Sequence, residues 1–514
     1  MTAEHEERFD LLCIGGGVGG LVAAYGAAQL GARMALVERG ELGGDCLNYG
    51  CVPSKGLIHA ARMAAGARRM SEFGIEVGEV RVDFPRVMRR MKEVQAHIGE
   101  HDDPARFEAM GIEVIFGEGR FTGPDLFEVG GRRIRARRFL LVTGSSPLVP
   151  EVAGLSEVPF LTNETVFDLE AQPRRMAVLG GGPIGLELAQ AFHHLWTEME
   201  VLEMMPKLLP RLDHEMADVL RRALEESGLR LHFEVRVSKV EKRGDEIVIH
   251  AEAPGGQAEN PGGPRSFSCD ALLVAVGRKP NLDGLGLADA GVECTPRRVG
   301  TDEWLRTSNP KIYAVGDVRG AYQFTHVAEY EAGIALRNML FSEPLGIPVP
   351  FLKKKASYHA VPWAIYTSTE AAHVGMTEAE AREALGEIHV LRFPMDRVDR
   401  AILEGETSGF CKVVCDSRGR FLGADLVCSA AGEILPEFAL AVRKRLHVKE
   451  VVETIHVYPT LAQVNKRAAG SFYAQKLFTP AFRKKMQRLF GLGGSLEVTD
   501  HKGPNGPGDD EKKF

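Results

Sequence analysis

Cys46 and Cys51 lie five positions apart within residues 43–55, which read Gly-Gly-Asp-Cys-Leu-Asn-Tyr-Gly-Cys-Val-Pro-Ser-Lys. A close cysteine pair near a glycine-rich turn is typical of a redox-active site, because thiols inside the cell are otherwise kept reduced. The glycines allow the backbone to pack against a planar cofactor, and Pro53 restricts the turn that sets the cysteine spacing. The alternative is a pair of buried structural cysteines, which the spacing alone would favour. The surrounding segment favours redox chemistry.

A glycine-rich turn upstream of the cysteine pair predicts a nucleotide-binding unit. The turn Gly-Gly-Gly-Val-Gly-Gly follows an apolar strand predicted at 10–14 and leads into a helix of small residues predicted at 21–30. In this GxGxxG pattern Gly15 makes the tight turn, Gly17 admits the pyrophosphate and Gly20 lets the helix approach the sheet. The helix N-terminus then faces the phosphates with free N–H groups. The next strand ends at Glu38, which is expected to accept hydrogen bonds from the ribose hydroxyls.

The same unit recurs further along the chain. Gly180, Gly182 and Gly185 repeat the glycine pattern, and the following strand ends at Glu203. The interval from the first glycine to the acid is 23 residues in both copies, so two bound nucleotides are expected. A carboxylate at Glu203 pairs with the 2′-hydroxyl of NAD and repels a 2′-phosphate, and residues 204–206 contain no arginine to receive one. The sequence therefore favours NADH over NADPH.

Residues 43–55 resemble the active-site signature of the flavoprotein disulfide reductases, which include lipoamide dehydrogenase, glutathione reductase and mercuric reductase. The resemblance implies FAD in the first nucleotide unit and NAD in the second. It implies that Cys51 lies against the flavin as the charge-transfer thiolate and that Cys46 is the interchange thiol that meets the substrate. Lys55 is expected at the reactive edge of the flavin, paired with Glu187. One departure is Asp45, which stands where threonine is usual and whose role is left open.

Other segments carry the resemblance over residues 9–470. Two predicted strands that end in glycine turns, at 140–147 and 272–281, resemble the family's crossings between its nucleotide-binding domains. A second flavin fingerprint at 312–318 contains Asp317, which is expected to bind the ribityl or phosphate region of FAD. The resemblance assigns further cofactor contacts to Gly44, Thr143, Gly144 and Gly277.

The resemblance implies an α/β fold with two Rossmann-like nucleotide-binding domains and a C-terminal α+β dimerisation domain, assembled as a homodimer. The expected divisions are the FAD-binding domain, first part, at 1–155, the NAD-binding domain at 156–278, the return part of the FAD domain at 279–350, the dimerisation domain at 351–475, and a basic helix with a disordered tail at 476–514. The Gly- and Pro-rich residues 253–265 are expected to form a surface loop.

The identity of the electron acceptor depends on residues near 458. In the disulfide-reducing members a histidine before Pro-Thr reaches into the partner subunit's active site, and a glutamate five residues later orients it. Here these positions hold Tyr458 and Gln463. A tyrosine with a pKa near 10 is ionised only about one part in a thousand at pH 7, so proton transfer from a dithiol substrate is disfavoured. His456 is either a substitute base or an interface residue.

Mercuric reductase also places a tyrosine near its metal, so the leading hypothesis is an enzyme that passes electrons to a soft metal ion such as Hg(II) or to another non-dithiol oxidant. The alternatives are a dihydrolipoamide dehydrogenase and an electron-transfer or redox-sensing partner of a membrane protein. The sequence lacks two features of the best-known mercuric reductases, because no metal-binding cysteine motif precedes residue 9 and no vicinal cysteine pair closes the C-terminus. Cysteine delivery of the metal is therefore not expected, which weakens a dedicated detoxification role. No resident metal site is predicted.

The bulk composition limits partners and location. The 514-residue chain has a net charge of −7, which argues against general nucleic-acid binding. Its first eight residues form no secretory signal and no apolar run is long enough to cross a bilayer, so a cytoplasmic location is expected. The six other cysteines are expected in the core. Residues 472–490 predict a basic helix that contacts a membrane, a partner or the dimer surface. Trp196 is unusual, since relatives carry glycine there.

Overall fold

The computed structural model describes residues 6–252, 265–342, 347 and 349–494. The described residues form two compact units. The first contains those within 6–209 and 227–357, and the second contains those within 210–226 and 358–494. Among these residues no helix combines the length and the apolarity needed to cross a membrane.

A seven-stranded sheet carries the first glycine turn. Its spatial order is β3 (Glu113–Phe116), β2 (Met34–Glu38), β1 (Glu6–Ile14), β6 (Arg132–Leu141), β5 (Leu126–Val129) and β4 (Gly119–Gly123), with β18 (Ile312–Ala314) paired to β6. Strand β1 runs parallel to β2 and to β6, and Leu11, Leu12 and Cys13 are fully buried, as expected for a strand covered on both faces. The turn after β1 therefore lies at the carboxyl edge, where open α/β sheets bind ligands.

The second glycine turn follows a strand of a separate parallel sheet. The order of this sheet is β10 (Arg230–His232), β9 (Glu198–Leu202), β8 (Arg175–Leu179) and β14 (Ala271–Val274). A separate antiparallel sheet consists of β11 (Val237–Arg243), β12 (Glu246–Ala251) and β13 (Arg265–Cys269). Two short strand pairs complete this unit: β7 (Ser145–Pro147) with β15 (Arg278–Pro280), and β16 (Cys294–Thr295) with β17 (Arg298–Val299). The β7–β15 pair joins the two segments predicted as chain crossings.

The second unit is built on a five-stranded antiparallel sheet. Its order is β19 (Pro362–Ile365), β20 (Glu370–Gly375), β23 (Phe421–Cys428), β22 (Phe410–Asp416) and β21 (Ile388–Pro394). Phe421 and Phe438 pack in its core with ring centroids 5.8 Å apart. The fully buried Lys412 extends from β22, and its ammonium lies 2.8 Å from both Asp213 and Glu378.

Fifteen helices belong to the described residues: α1 (Val18–Gln29), α2 (Gly44–Asn48), α3 (Cys51–Arg68), α4 (Phe84–Gly99), α5 (Pro104–Ala109), α6 (Pro183–His194), α7 (His214–Glu226), α8 (Thr325–Phe341), α9 (Glu378–Leu385), α10 (Asp399–Glu404), α11 (Ala431–Ile434), α12 (Pro436–Lys444), α13 (Val448–Glu453), α14 (Gln463–Leu477) and α15 (Pro480–Phe490). The last two replace the single helix predicted at 472–490, because Thr479 and Pro480 begin a new helix.

Two other expectations need correction or fall outside the described residues. Cys294 was expected in the core, but it is exposed on a two-residue strand; the other five non-motif cysteines are buried. The predicted surface loop at 253–265 and the predicted tail at 491–514 extend beyond the described residues, apart from the strand that begins at Arg265 and residues 491–494.

Trp196 follows α6 in the left-handed conformation, with φ 75°. This conformation explains why relatives carry glycine at the position. The indole ring of Trp196 makes a cation–π contact, because the Arg68 guanidinium lies 4.8 Å from its ring centroid.

Candidate active site

The first glycine turn has the geometry that a dinucleotide requires. A Cβ at Gly15 would lie 2.3 Å from the carbonyl oxygen of Val142, and one at Gly20 would lie 2.0 Å from the carbonyl oxygen of Gly15. These two positions exclude side chains because backbone passes close to them. A Cβ at Gly17 would instead meet only Gly44 Cα, at 3.8 Å, so this glycine borders open space. A pyrophosphate at the N-terminus of α1 fits that space.

The second turn repeats this geometry. A Cβ at Gly180 would lie 2.6 Å from the carbonyl oxygen of Ala275, and one at Gly185 would lie 2.2 Å from that of Gly180. A Cβ at Gly182 would meet nothing within 4 Å. The two turns therefore share one division of roles, in which the outer glycines allow close packing and the middle glycine leaves room for a ligand.

The acids that end β2 and β9 also occupy equivalent places. Glu38 accepts hydrogen bonds from the backbone N–H of Gly16 at 2.6 Å and of Gly40 at 2.7 Å. Glu203 accepts from the backbone N–H of Gly181 at 2.6 Å and of Met205 at 2.7 Å. Each carboxylate is thus held beside its glycine turn, where the ribose of a dinucleotide is expected.

The two cysteines belong to consecutive helices. Cys46 is in α2, and Cys51 is the first residue of α3. Both are thiols in this structure. The hydrogen bond from Cys46, followed by the Thr325 hydroxyl and the Lys55 ammonium, holds the pKa of Cys51 below its ordinary value, although burial opposes the shift. The same hydrogen bond, with burial, raises the pKa of Cys46. The thiolate therefore forms first at Cys51.

Three residues around Cys51 come from three different helices of the first unit. Thr325 Oγ1, at the start of α8, lies 3.6 Å from Cys51 Sγ. Lys55 Nζ, one turn along α3, donates to Glu187 Oε2 at 2.8 Å. Glu187 is 6% exposed on α6, so the ion pair holds the lysine towards the buried side. The structure thus brings together Lys55 and Glu187, the pair that the resemblance implies, and adds Thr325.

Asp45, whose role was left open, is bound by a guanidinium. Arg278 Nη2 lies 2.8 Å from Asp45 Oδ1, and Asn163 Nδ2 donates to the same oxygen at 3.1 Å. Arg278 also donates from Nε to Ser145 Oγ at 2.8 Å, and Ser145 donates to Asp317 Oδ2 at 2.5 Å. A continuous polar chain therefore connects the residue before Cys46 to the flavin-fingerprint aspartate. Burial raises the pKa of Asp317.

The remaining predicted cofactor contacts form the turns around this chain. Gly44 has φ 58°, and a Cβ there would lie 2.7 Å from Gly17 Cα, so the cysteine segment packs directly on the first glycine turn. Thr143 Oγ1 donates to the carbonyl oxygen of Asn281 at 2.7 Å. Gly144 and Gly277 adopt φ 69° and 130°.

The residues near 458 belong to the second unit. The Tyr458 hydroxyl donates to Asp399 Oδ2 at 2.8 Å, and this hydrogen bond raises the pKa of Tyr458 above its ordinary value. His456 is engaged at both ring nitrogens: Nε2 lies 3.0 Å from Glu437 Oε1, and Nδ1 lies 3.0 Å from the carbonyl oxygen of Thr454. Both ring nitrogens of His456 are thus already occupied by groups of the protein, which leaves neither of them open to a substrate. Gln463 begins α14.

Sequence reasoning missed Thr325, Asn163, Arg278, Ser145 and Asp399 as site residues. Arg278 directly follows the glycine of the second crossing, whereas Thr325 lies seven residues after the end of the second flavin fingerprint. Asp45 was itself the available signal, because a carboxylate at this place requires a donor. No local pattern marks Asp399.

Comparison with known proteins agrees with this geometry. Residues 9–332 match the family model "Pyridine nucleotide-disulphide oxidoreductase", and residues 361–469 match that family's dimerisation domain, which indicates a homodimer. A mercuric reductase of Bacillus cereus is 34% identical over 92% of this chain and 73% of that enzyme. A dihydrolipoyl dehydrogenase of Chlamydia trachomatis is 34% identical over 93% of this chain and 100% of that enzyme.

A solved structure gives the same fold. The Cu(II) complex of the HOCl-induced flavoprotein disulfide reductase RclA from Escherichia coli superposes with a TM-score of 0.79 and 26% identity, over 90% of this chain and 99% of RclA. The predicted α/β fold is therefore confirmed. The chain belongs to the pyridine nucleotide-disulfide oxidoreductases, and it is an enzyme of the flavoprotein disulfide reductase type, dependent on FAD and a pyridine nucleotide.

Proposed function

We propose that the enzyme uses NADH to reduce a soft metal ion such as Hg(II) at the Cys46–Cys51 pair. The observation that carries the proposal is Tyr458, which stands where the resemblance expects the catalytic base and whose hydroxyl donates a hydrogen bond to Asp399 at 2.8 Å. An acceptor that has no proton to remove does not require a base at this place, whereas a dithiol does.

The cysteine pair has suitable properties for a soft metal. Thiolates are the preferred protein ligands of soft cations, and the hydrogen bond from Cys46 lowers the pKa of Cys51, so one thiolate is available near neutral pH. Two electrons from the pair convert Hg(II) to Hg(0) as two thiols become one disulfide and release two protons. NADH and one proton then return the disulfide to two thiols and leave NAD⁺. FAD, when bound, supplies the two-electron carrier between the nicotinamide and the pair. The similar structure of RclA is a Cu(II) complex, which also supports a metal ion as the substrate here.

The residues around the glycine turns have separate tasks in this proposal. The first turn with Glu38 holds FAD, and the second turn with Glu203 holds NADH. Glu203 favours NADH over NADPH because its carboxylate would repel a 2′-phosphate. The Lys55–Glu187 ion pair orients the ammonium towards the flavin edge, and Asp317 binds the ribityl or phosphate region.

A dihydrolipoamide dehydrogenase is the second candidate. Its specific support is the alignment with the Chlamydia trachomatis dihydrolipoyl dehydrogenase over that enzyme's whole length, compared with 73% of the Bacillus cereus mercuric reductase. This function would require proton transfer without the usual histidine.

The experiment that separates the two candidates is anaerobic reduction of the holoenzyme with NADH, followed by mixing with Hg(II) or lipoamide. We expect rapid reoxidation by Hg(II) and slow reoxidation by lipoamide. Cys46→Ser should abolish the reaction with Hg(II) while leaving reduction by NADH intact, which separates thiol chemistry from direct transfer. Faster turnover with lipoamide than with Hg(II) would overturn the proposal in favour of the second candidate.

A further inference from the structure

Helix α15 is specified by its own ends rather than by burial. Thr479 caps it, since its Oγ1 accepts a hydrogen bond from the backbone N–H of Phe482 at 3.2 Å, and Pro480 occupies the first helical position. Gly491 ends it with φ 64°. No residue of α15 is buried. An 11-residue helix with both caps and no buried side chain has a surface left for another partner.

The side chains of α15 separate into two faces. At 100° per residue its large apolar side chains fall within an arc of about 100°, which we call the apolar stripe. The apolar stripe consists of Phe482, Met486, Leu489 and Phe490. The rest of the circumference, which we call the basic face, carries Arg483, Lys484, Lys485 and Arg488. Leu489 and Phe490 are 63% and 69% exposed.

The stripe continues beyond both ends of the helix. Phe478, one turn before the stripe begins, is 68% exposed, and Leu492, just after the helix, is 56% exposed. In contrast, Phe472 on α14 is 4% exposed in the core of the second unit. The chain therefore changes from a packed helix to an unburied one at residues 478–479, and aromatic side chains follow on the exposed side.

The charge of this segment differs from that of the whole chain. Residues 463–494 contain seven lysines and arginines and no aspartate or glutamate, although the complete chain has a net charge of −7. An apolar stripe flanked by cations matches a surface that is apolar below a layer of negative charge. An anionic phospholipid membrane has this arrangement.

A second copy of the chain fits the helix less well. Isologous pairing of α15 through the apolar stripe would bring the cations that flank it, Arg483 and Lys485, close to those of the second copy, and the repulsion would be unfavourable. The family's dimerisation domain also ends at residue 469, before α15 begins. We propose that α15 binds the surface of an anionic membrane, with the apolar stripe in the acyl boundary and the basic face at the headgroups. The proposal is independent of which acceptor the enzyme reduces.

Vesicle sedimentation of the full-length holoenzyme tests this proposal. We expect binding to vesicles of phosphatidylcholine with phosphatidylglycerol, weakening at high NaCl, and no binding to phosphatidylcholine alone. Each cation near an anionic surface contributes about a fivefold change in affinity. Lys484→Gln with Lys485→Gln should therefore weaken binding roughly 25-fold. Leu489→Ala with Phe490→Ala should also weaken it, because the apolar stripe loses its most exposed part.

The matched control changes two adjacent exposed cations on another helix, Arg89→Gln with Arg90→Gln on α4. This control should bind like the wild type, and all variants should retain NADH-dependent turnover in solution, which shows that they are folded. Equal losses in the α4 and α15 charge variants would overturn the proposal, because they would indicate a general charge effect. Absence of wild-type binding, or a change in oligomeric state in the α15 variants alone, would also overturn it.

Discussion

Replacing Tyr458 by histidine should give the enzyme a reaction for which the wild type is poorly equipped. To act as a base towards a thiol, Tyr458 must first lose its own proton. Its hydrogen bond to Asp399 at 2.8 Å raises its pKa above the ordinary value near 10, so at pH 7.5 fewer than about one molecule in 300 carries tyrosinate. A histidine with a pKa near 6.5 is about 90% neutral at this pH. The population of the basic form should therefore rise about 300-fold.

The assay is oxidation of dihydrolipoamide by NAD⁺, in which the base removes the thiol proton. Because general-base catalysis contributes about 10²–10⁴-fold, we expect Tyr458→His to raise kcat/KM by roughly 100-fold or more. Adding Gln463→Glu should raise it further, because a carboxylate at that position can orient the ring. The rate of the variant should follow its neutral histidine and level off above about pH 7. The wild type should show no inflection near that pH.

Tyr458→Phe is the control, since it removes the hydroxyl without adding a base. It should leave the slow wild-type oxidation of dihydrolipoamide nearly unchanged. A large loss in Tyr458→Phe would show that the tyrosine already acts in proton transfer. A wild-type rate within about threefold of the Tyr458→His rate would likewise refute the reasoning, because the 300-fold difference in base population would then have no consequence.

Two further predictions concern charge and stability. The negative charge of Asp45 is one of the interactions that raise the pKa of Cys51. Asp45→Asn should therefore move the onset of Cys51 alkylation by iodoacetamide, followed by peptide mass spectrometry, to lower pH. An onset at higher pH would contradict this direction. Lys412→Met should lower the free energy of unfolding by about 3–5 kcal/mol, because it removes the ammonium from the buried Asp213. Its control, Lys449→Met at an exposed ion pair, should lower the free energy of unfolding by less than about 1 kcal/mol in urea denaturation. Equal losses in the two variants would contradict the role of burial.

The nucleotide-binding turns could be predicted from the sequence because each is a local structure. Gly15 and Gly20 must lack side chains for reasons set within a few residues of the turn and by one neighbouring strand. The strand before the turn and the helix after it have clear hydrophobic patterns, so the element types follow from them. The boundaries follow less well: the first helix was predicted from Leu21 and begins at Val18, because the last residues of the glycine turn already belong to it.

The partners of the cysteine pair could not be predicted in this way. Thr325 lies 274 residues from Cys51 in the sequence, and no periodicity relates the two. Lys55 and Glu187, 132 residues apart, were paired only by resemblance to known enzymes. Asp399 lies 59 residues from Tyr458, on a short helix without a recognisable motif. Contacts of this kind depend on the tertiary arrangement, which a single sequence does not encode locally.

Asp45 shows how a departure from a family pattern can still carry physical information. A carboxylate has no donor of its own, so in a half-buried position it requires hydrogen-bond donors or a cation. Arg278 meets this requirement, and its Nε is at the same time bound to Ser145, which donates to Asp317. The guanidinium thus lies between two carboxylates, and its positive charge offsets part of the negative charge that Asp45 adds beside the cysteines. The carboxylate of Asp45 is therefore compatible with its place before Cys46, because Arg278 supplies the cation that it requires.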